Sequence, residues 1–379
     1  MAGELRSFFC ADLVARLAAD IARVHWRFPV DAFVRDATNG LDELELLDRG
    51  RLIAAALARH LPRSYPDAVD VLVRSLGPEH ASDELIGAGM GPFFYFPHLE
   101  FVATHGLGHF DLSLDAQYEL TKRFSAESSI RAFLAHDPER TFARLRTWSA
   151  DGNPHVRRLV SEGTRLRLPW APRVAWLDAH PERVIELLEL LRDDPTTLVR
   201  RSVANNLNDL GRVHPELLVA TCGAWLRGAS AERRALLDHA LRGAVKRGDA
   251  GALELLGFGA RPRVVVEDVR LRPRRVSIGG QVEIAFDLVS TARTRQSLLV
   301  DLRVHFVKAN GRTSPKVFKL ARVDLAPRAR HAFATKVSLA VHTTRRPYPG
   351  RHEVEVLANG SALPVGGFQV SAPRRATEA

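Results

Sequence analysis

Apolar residues recur every three or four positions up to about residue 260 and every second position beyond it, and that change of period divides the chain. Over residues 4–26, Phe9, Leu13, Leu17, Ile21 and Val24 fall on one stripe and predict an amphipathic helix. Pro29 opens a second helix and Asn39-Gly40 closes it; residues 43–61 and 65–76 repeat the pattern, ended by Pro62 and by Gly77-Pro78. The stretch 86–110 is rich in glycine, proline and aromatics. Its Gly87, Gly89 and Gly91 precede no phosphate-loop lysine, so it reads as a packed turn entering a helix near Pro92. A long helix is predicted over 114–134, capped by Ser113 or Asp115.

A longer period then appears. Pro138, Pro181 and Pro215, each followed by Glu, open apolar helices at spacings of 43 and 34 residues. The partner helices match as well: PHVRRLVSE at 154–162 and TLVRRSVAN at 197–205 set their Val-Arg-Arg units 43 residues apart. Helix pairs recurring at ~35–45 residues predict a HEAT-like α-solenoid, in which each pair buries its apolar face against its neighbours. Residues 231–245 and 248–258 read as the terminal pair.

From 263 the period is two. Seven β-rich runs, from VVVEDVRL to GGFQVS, are separated by Gly280, Ser290–Ser297, Asn310-Gly311, Pro327 and Pro347–Gly350. They predict an antiparallel immunoglobulin-like sandwich without a Cys…Trp…Cys pin. The expected fold is therefore multidomain: an all-α solenoid over 1–259, an all-β sandwich over 262–373, and a tail at 374–379.

Charge sharpens that division. Residues 262–379 hold 21 Lys and Arg against 9 Asp and Glu, whereas 1–261 hold 33 against 35, so the excess of +10 lies in the sandwich. A polyanionic partner would explain such asymmetry. Cys10 and Cys222 give neither a disulfide framework nor a ligand spacing. With no apolar run of about 18 residues and no cleavable leader, neither membrane insertion nor secretion is expected, and the location predicted is cytoplasmic.

Motif reading finds no metal site, nucleophile elbow, Walker loop or dinucleotide fingerprint. His105 and His109 are spaced i,i+4 but lack a third ligand. On composition and pattern alone the chain is a basic, two-domain binding protein. Two segments say more. DGNPHVRRLVSEGTRLRLPW at 151–170 and AQYELTKRFSAESSIRAFL at 116–134 resemble the AlkC family of bacterial DNA glycosylases, and a helical array followed by an Ig-like module is similar to family members that carry it.

The resemblance implies a monofunctional glycosylase that removes cationic N-alkylated bases, 3-methyladenine and 3-methylcytosine, from duplex DNA without flipping the lesion into a pocket. It implies no cofactor, a monomer, and action at the bacterial nucleoid. Matched to the family's motifs, Glu127 and Glu162 are the candidate catalytic carboxylates, 35 residues or about one repeat apart. They would stabilise an oxocarbenium-like sugar and place a water. Trp170 is matched to a role stacking beside the lesion. Lys122 is the one lysine in the two segments and bears no mark of a Schiff-base role; Gln117 and Tyr118 receive no role.

Phosphate contacts are expected from Arg157, Arg158, Arg165, Arg200 and Arg201 on the repeated helices. The sandwich turns would add Arg293, Arg295, Lys308, Arg312, Lys316, Arg345 and Arg346, clamping the duplex from the other side. Each residue also has a plainer reading. Glu162 has Arg158 four residues before it, and Glu127 has Arg123 and Arg131 at i−4 and i+4, the spacing of ordinary helix ion pairs. Trp170 would serve equally as a core residue between repeats. A non-enzymatic HEAT-repeat scaffold binding DNA or protein is the alternative function, and the sandwich would then be free to act as a protein-interaction module.

Overall fold

The computed structural model describes residues 7–80, 91–342 and 346–372. Contacts divide the chain into two compact units, Met1–Ala240 and Leu241–Ala379.

Among its described residues the first unit is all α. Its helices are α1 (Ala11–Val24), α2 (Val30–Thr38), α3 (Leu46–His60), α4 (Tyr65–Arg74), α5 (Phe96–His105), α6 (Phe110–Thr121), α7 (Ile130–His136), α8 (Pro138–Trp148), α9 (Pro154–Gly163), α10 (Ala175–Ala179), α11 (Pro181–Leu191), α12 (Thr197–Val213) and α13 (Pro215–Leu226). The next helix, α14 (Ala231–Arg247), runs across the division, and α15 (Ala250–Leu255) lies in the second unit. Proline stands at the first position of α8, α9, α11 and α13, where its missing N–H has no intrahelical partner to lose. Asp137 caps α8 through Arg140 N, and Asn153 caps α9 through His155 N.

Each helix buries one stripe. Thr141, Phe142, Leu145 and Trp148 line α8; Val156, Leu159 and Val160 line α9; Val184, Leu187, Leu188 and Leu191 line α11; Val199, Val203, Leu207 and Leu210 line α12. Each such Leu or Val contributes about 1.5–3 kcal/mol, and this packing gives helices of ten to seventeen residues their permanence.

Two expectations fail here. The predicted helix over 114–134 is two helices, α6 and α7, joined by a turn at 122–129 that carries Glu127. Its cause is local. Arg123 leaves the helix line to donate to Gly77 O, and Ser129 Oγ turns back to Ala126 O and to Gln117 Oε1. Ser113 and Asp115 do not cap α6, which begins at Phe110; the Ser113 hydroxyl donates to Gly106 O instead. Pro92 lies in a 3₁₀ turn over Gly91–Tyr95, with α5 starting at Phe96; Gly87 and Gly89 lie outside the described residues. His105 and His109 are likewise separated by the end of α5 and pack on Phe101 and Tyr65 respectively.

The second unit is a sandwich of two sheets. Its strands are β1 (Val264–Arg272), β2 (Arg275–Ser277), β3 (Gln281–Ser290), β4 (Gln296–Val307), β5 (Thr313–Leu325), β6 (Arg330–Ser338), β7 (Gly350–Ala358) and β8 (Ser361–Ser371). One sheet is ordered β1-β3-β6 and the other β2-β8-β7-β4-β5, all antiparallel except β2 with β8. Strict alternation along β3 sends Val282, Ile284, Phe286 and Leu288 inward, where they share a core with Leu302, Val304 and Phe306 of β4, Val354 and Val356 of β7, and Phe368 of β8. The β4–β5 register shifts between Val300 and Asp301, where β5 carries the extra residue Leu320; β4 keeps its alternation, with Val300 and Leu302 in the core, and Asp301 between them is also buried. Burial raises its pKa, against the opposing pull of Lys319 and Lys246.

Candidate functional site

α9 packs against α12 and presents Arg158 and Glu162 one turn apart. Arg158 Nη2 stands 3.0 Å from Glu127 Oε2 and 3.6 Å from Glu162 Oε1. Just past α9, Arg165 Nη1 donates to Glu162 Oε2 at 3.0 Å, and Arg165 Nε to Asp209 Oδ2 of α12 at 2.8 Å. Glu127, Arg158, Glu162, Arg165 and Asp209 thus form a ladder of alternating charge across three elements distant in sequence. Glu162 and Asp209 are buried, and Glu127 keeps 28% of its side chain exposed. Burial works against the charge of Arg165, but Glu162 and Asp209 more than offset it and its pKa rises.

The two candidate carboxylates are therefore brought onto one guanidinium, and the helix ion pairs expected for Glu127 do not form. Arg123 takes Glu119 and Gly77 O, while Arg131 takes backbone carbonyls. Glu127 Oε2 is buried and, though close to Arg158, makes no hydrogen bond. A carboxylate oxygen in that condition has capacity left for a water or a cation. Close approach of α9 to α7 makes the arrangement possible: a Cβ added to Gly163 would fall 2.7 Å from Ile130 Cγ2.

Asp209 was missed in the sequence. Its signal was the register of the two Val-Arg-Arg helices, since it lies on the partner helix one turn beyond Asn206, whose Nδ2 donates to Ser161 O at 2.8 Å. Gln117, also without an assigned role, is buried behind the Glu127 turn and accepts from Ser129 Oγ. Tyr118 Oη donates to Asp151 Oδ2 at 3.0 Å, with Lys122 over its ring.

Trp170 is not a core residue. It is 69% exposed and holds a positive φ of 62° in the segment between α9 and α10, where Leu166 and Leu168 are buried. A non-glycine residue in that region costs about 1–3 kcal/mol unless its surroundings hold it.

The basic candidates separate into groups. Arg157 donates all five N–H groups: Nε and Nη2 to Asp194, Nη1 to Asp151 O and Gly152 O, and Nη2 also to Thr196 Oγ1. Arg200 is partly engaged, by Asp194 O, Pro195 O and Thr197 Oγ1. Arg201 is exposed and, with Arg200, Thr197, Glu232 and His239, lines a groove of about 390 Å³.

In the sandwich, β4 separates two basic ends. Arg293 and Arg295 are exposed in the turn before Gln296, where Thr291 N donates to Arg263 O and Asn359 Nδ2 to Ala260 O. Lys308 and Arg312 lie in the hairpin after Val307, the residue against which Gly350 packs, and Lys316 follows opposite Val304. Arg346 lies over Tyr348 near the same end, and Arg345 is outside the described residues. Exposed Arg272, Arg274 and Arg275, not singled out in the sequence, belong there too, since Arg275 and Arg351 both register with Gln369. Along the twelve residues of β4 the two ends are about 36 Å apart.

Among the described residues no group of three His, Cys, Asp or Glu side chains is disposed to hold a metal ion, and no helix is long and apolar enough to cross a membrane. Cys222 is buried, which pushes its thiol up to about 12, and Cys10 is exposed.

Residues 265–372 match the family described as uncharacterised protein YhaZ, C-terminal Ig-like domain. The whole chain is similar to the uncharacterized protein YhaZ of Bacillus subtilis (strain 168), 32% identical over 369 residues, covering 97% of this chain and 99% of that one. It is also similar to the structure of Pseudomonas fluorescens alkylpurine DNA glycosylase AlkC bound to DNA containing an abasic site analog. There the identity is 34%, the TM-score 0.88, and the coverage 97% of this chain and 99% of that chain.

Proposed function

The chain belongs to the AlkC family, and from that premise we propose that it is a DNA glycosylase hydrolysing the N-glycosidic bond of cationic N-alkylated bases in duplex DNA. The observation that carries the reading is the meeting of Glu127 and Glu162 on Arg158. Helix pairs opened by Pro138, Pro181 and Pro215 form, in this reading, a HEAT-like solenoid whose second helices carry the site.

The chemistry follows from charge. A base alkylated at N3, such as 3-methyladenine or 3-methylcytosine, is already a cation, and it leaves as a neutral molecule when the glycosidic electron pair goes to its ring nitrogen. No acid is needed. Positive charge moves to the sugar, and carboxylates beside C1′ stabilise it. Glu162, held from both sides by Arg158 and Arg165, supplies fixed negative potential. Glu127, partly exposed and with Oε2 lacking a hydrogen bond, orients the water and takes its proton as oxygen bonds to C1′. The products are free base and an abasic site. The lesion need not leave the stack, which suits a carboxylate near the surface. Trp170, exposed and fixed in an uncommon backbone conformation, packs against the sugar or the gap beside the lesion.

Backbone phosphates fall to Arg201, to Arg200 in part, and to a basic end of the sandwich. Arg157, with every donor occupied, is a structural residue in this reading and not a phosphate contact. The protein acts as a cytoplasmic monomer without a cofactor.

The test is base release from duplex DNA treated with a methylating agent, comparing wild type with Glu127→Gln and Glu162→Gln. Wild type should release 3-methyladenine or 3-methylcytosine, and each variant should lose roughly 10²–10³-fold while still binding DNA. Release by both variants at the wild-type rate removes the carboxylates from the mechanism. No release by wild type leaves a DNA-binding scaffold.

A further inference from the structure

Arg131 is the largest fully buried side chain among the described residues, 1% exposed in the first turn of α7. Among the described residues no carboxylate forms an ion pair with it; Asp178, whose charge favours it, is engaged by Arg167 at 2.7 Å. Burial brings its pKa down to about 10, so it remains a cation at neutral pH. A buried cation without a carboxylate is costly unless every donor is aimed at a strong acceptor. Here the acceptors are backbone carbonyls at the end of α9 and in the segment that follows it: Nε donates to Pro172 O at 2.7 Å, and Nη1 to Gly163 O at 3.0 Å and to Arg165 O at 2.8 Å.

That segment, residues 164–174, leaves α9 and carries the two groups with most to gain from being fixed. Arg165 clasps Glu162 and Asp209. Trp170 stands out at a positive φ between Pro169 and Pro172. Arg131 itself lies four residues beyond Glu127, at the start of the helix that follows its turn. One guanidinium therefore ties the turn that bears Glu127 to the loop that bears Arg165 and Trp170.

We propose that Arg131 is a positioning residue of the site: by bridging the carbonyls of Gly163, Arg165 and Pro172 it holds loop 164–174 in a single conformation, preorganising Arg165 and Trp170 around the carboxylates. Lysine keeps the charge but presents no planar fork, so it cannot reach three carbonyls in different directions. Arg131 is buried, which separates its effect from that of a phosphate contact. The catalytic half of this role rests on the glycosylase reading above; the loop-fixing half does not.

The experiment has two arms, run on the full chain as wild type, Arg131→Lys and Arg131→Met. In the first, native protein is digested with trypsin and cleavage after Arg165, Arg167 and Arg173 is timed by mass spectrometry. Wild type should resist there, and both variants should be cut ~10-fold faster or more while their melting stays cooperative, as expected when a local opening is made easy. In the second, single-turnover base release and affinity for undamaged duplex are measured. Release should fall ~10–100-fold in Arg131→Lys, the scale of a small misplacement of catalytic groups, with affinity for undamaged duplex unchanged.

Wild-type protein cut at Arg167 as readily as an exposed linker overturns the proposal, and that arm needs no variant to fold. So does Arg131→Lys with lowered melting but wild-type cleavage and wild-type release, which would make Arg131 a stabilising residue only. Wild type that releases no base, with the loop still loosened by both substitutions, overturns the glycosylase reading and leaves the loop-fixing role standing.

Discussion

Arg157 and Arg158 are neighbours in sequence, yet the structure gives them different work, and Asp194 is the residue through which the difference can be measured. Asp194 is buried and its carboxylate accepts three hydrogen bonds: from Arg157 Nε at 2.6 Å, from Arg157 Nη2 at 3.1 Å, and from Thr196 N at 2.8 Å ahead of α12. The side-chain bond and the attraction to Asp194 raise the pKa of Arg157. Charge-assisted bonds contribute about 1.5–3 kcal/mol each, and a turn or cap bond about 1 kcal/mol. Removing one partner of a buried pair strands the other charge, so Asp194→Ala should cost about 4 kcal/mol.

Arg157→Met should cost less, about 2 kcal/mol, because Asp194 keeps Thr196 N and can take up a water. The double variant should be less unstable than the two single losses predict, by about 1–3 kcal/mol. Urea denaturation followed by tryptophan fluorescence gives these values. The functional half is salt dependence. Each phosphate contact contributes about −0.9 to the slope of log K against log salt. Arg157→Met, measured where it is fully folded, should leave that slope unchanged, whereas Arg201→Met should flatten it by about 0.9. A slope flattened by Arg157→Met, with stability untouched, would refute the assignment of Arg157 to the fold.

Other expectations are equally concrete. His98 is buried, and burial lowers its pKa from 6.5 to about 4. Between those values the unfolded chain binds the proton and the folded one does not, so stability falls as pH drops from 6.5 towards 4, by up to ~3 kcal/mol; melting at pH 7 and pH 4.5 should show it, and His98→Gln should remove much of the slope. Gly163→Ala would drive a methyl into Ile130, a stiff β-branched neighbour, costing about 1–3 kcal/mol and spreading α9 from α7; base release should fall with it, and unaltered melting would count against that packing. Paired reversals, Arg293→Glu with Arg295→Glu and Lys308→Glu with Arg312→Glu, ask which end of the sandwich meets DNA. The expected result is a large loss of affinity from one pair and a small one from the other, read by titration at fixed salt.

Much of the architecture was legible because its determinants are local. Proline at a helix start removes one donor that has no partner, so Pro138, Pro181 and Pro215 open helices wherever they fall among apolar stripes. Period-two runs are equally local, and seven of the eight strands follow them. The eighth, β2, is three residues long and pairs in parallel with β8, a partner far along the chain that no pattern announces. The break at 122–129 was hidden for a related reason. Leu120 and Phe124, then Ala126 and Ile130, keep four-residue spacings in sequence, while the pull that ends α6 comes from Gly77 O. At the site, the two matched segments held both glutamates and the arginine that joins them. The true partner of Glu127 lies in α9 and Asp209 in α12, and local spacing suggested other pairs.

The length of β4 has a consequence of its own. A strand hydrogen-bonded on both sides does not stretch or bend easily, so its two basic ends are a fixed distance apart, about 36 Å. Duplex DNA rises about 3.4 Å per base pair, which makes that interval roughly one helical turn. Were both ends to touch one duplex, the phosphates they protect would recur on the same side of the helix, and a chemical footprint would carry two bands one turn apart. A single band would mean that the sandwich meets DNA end-on and turns its other basic tip to solvent or to a different polyanion.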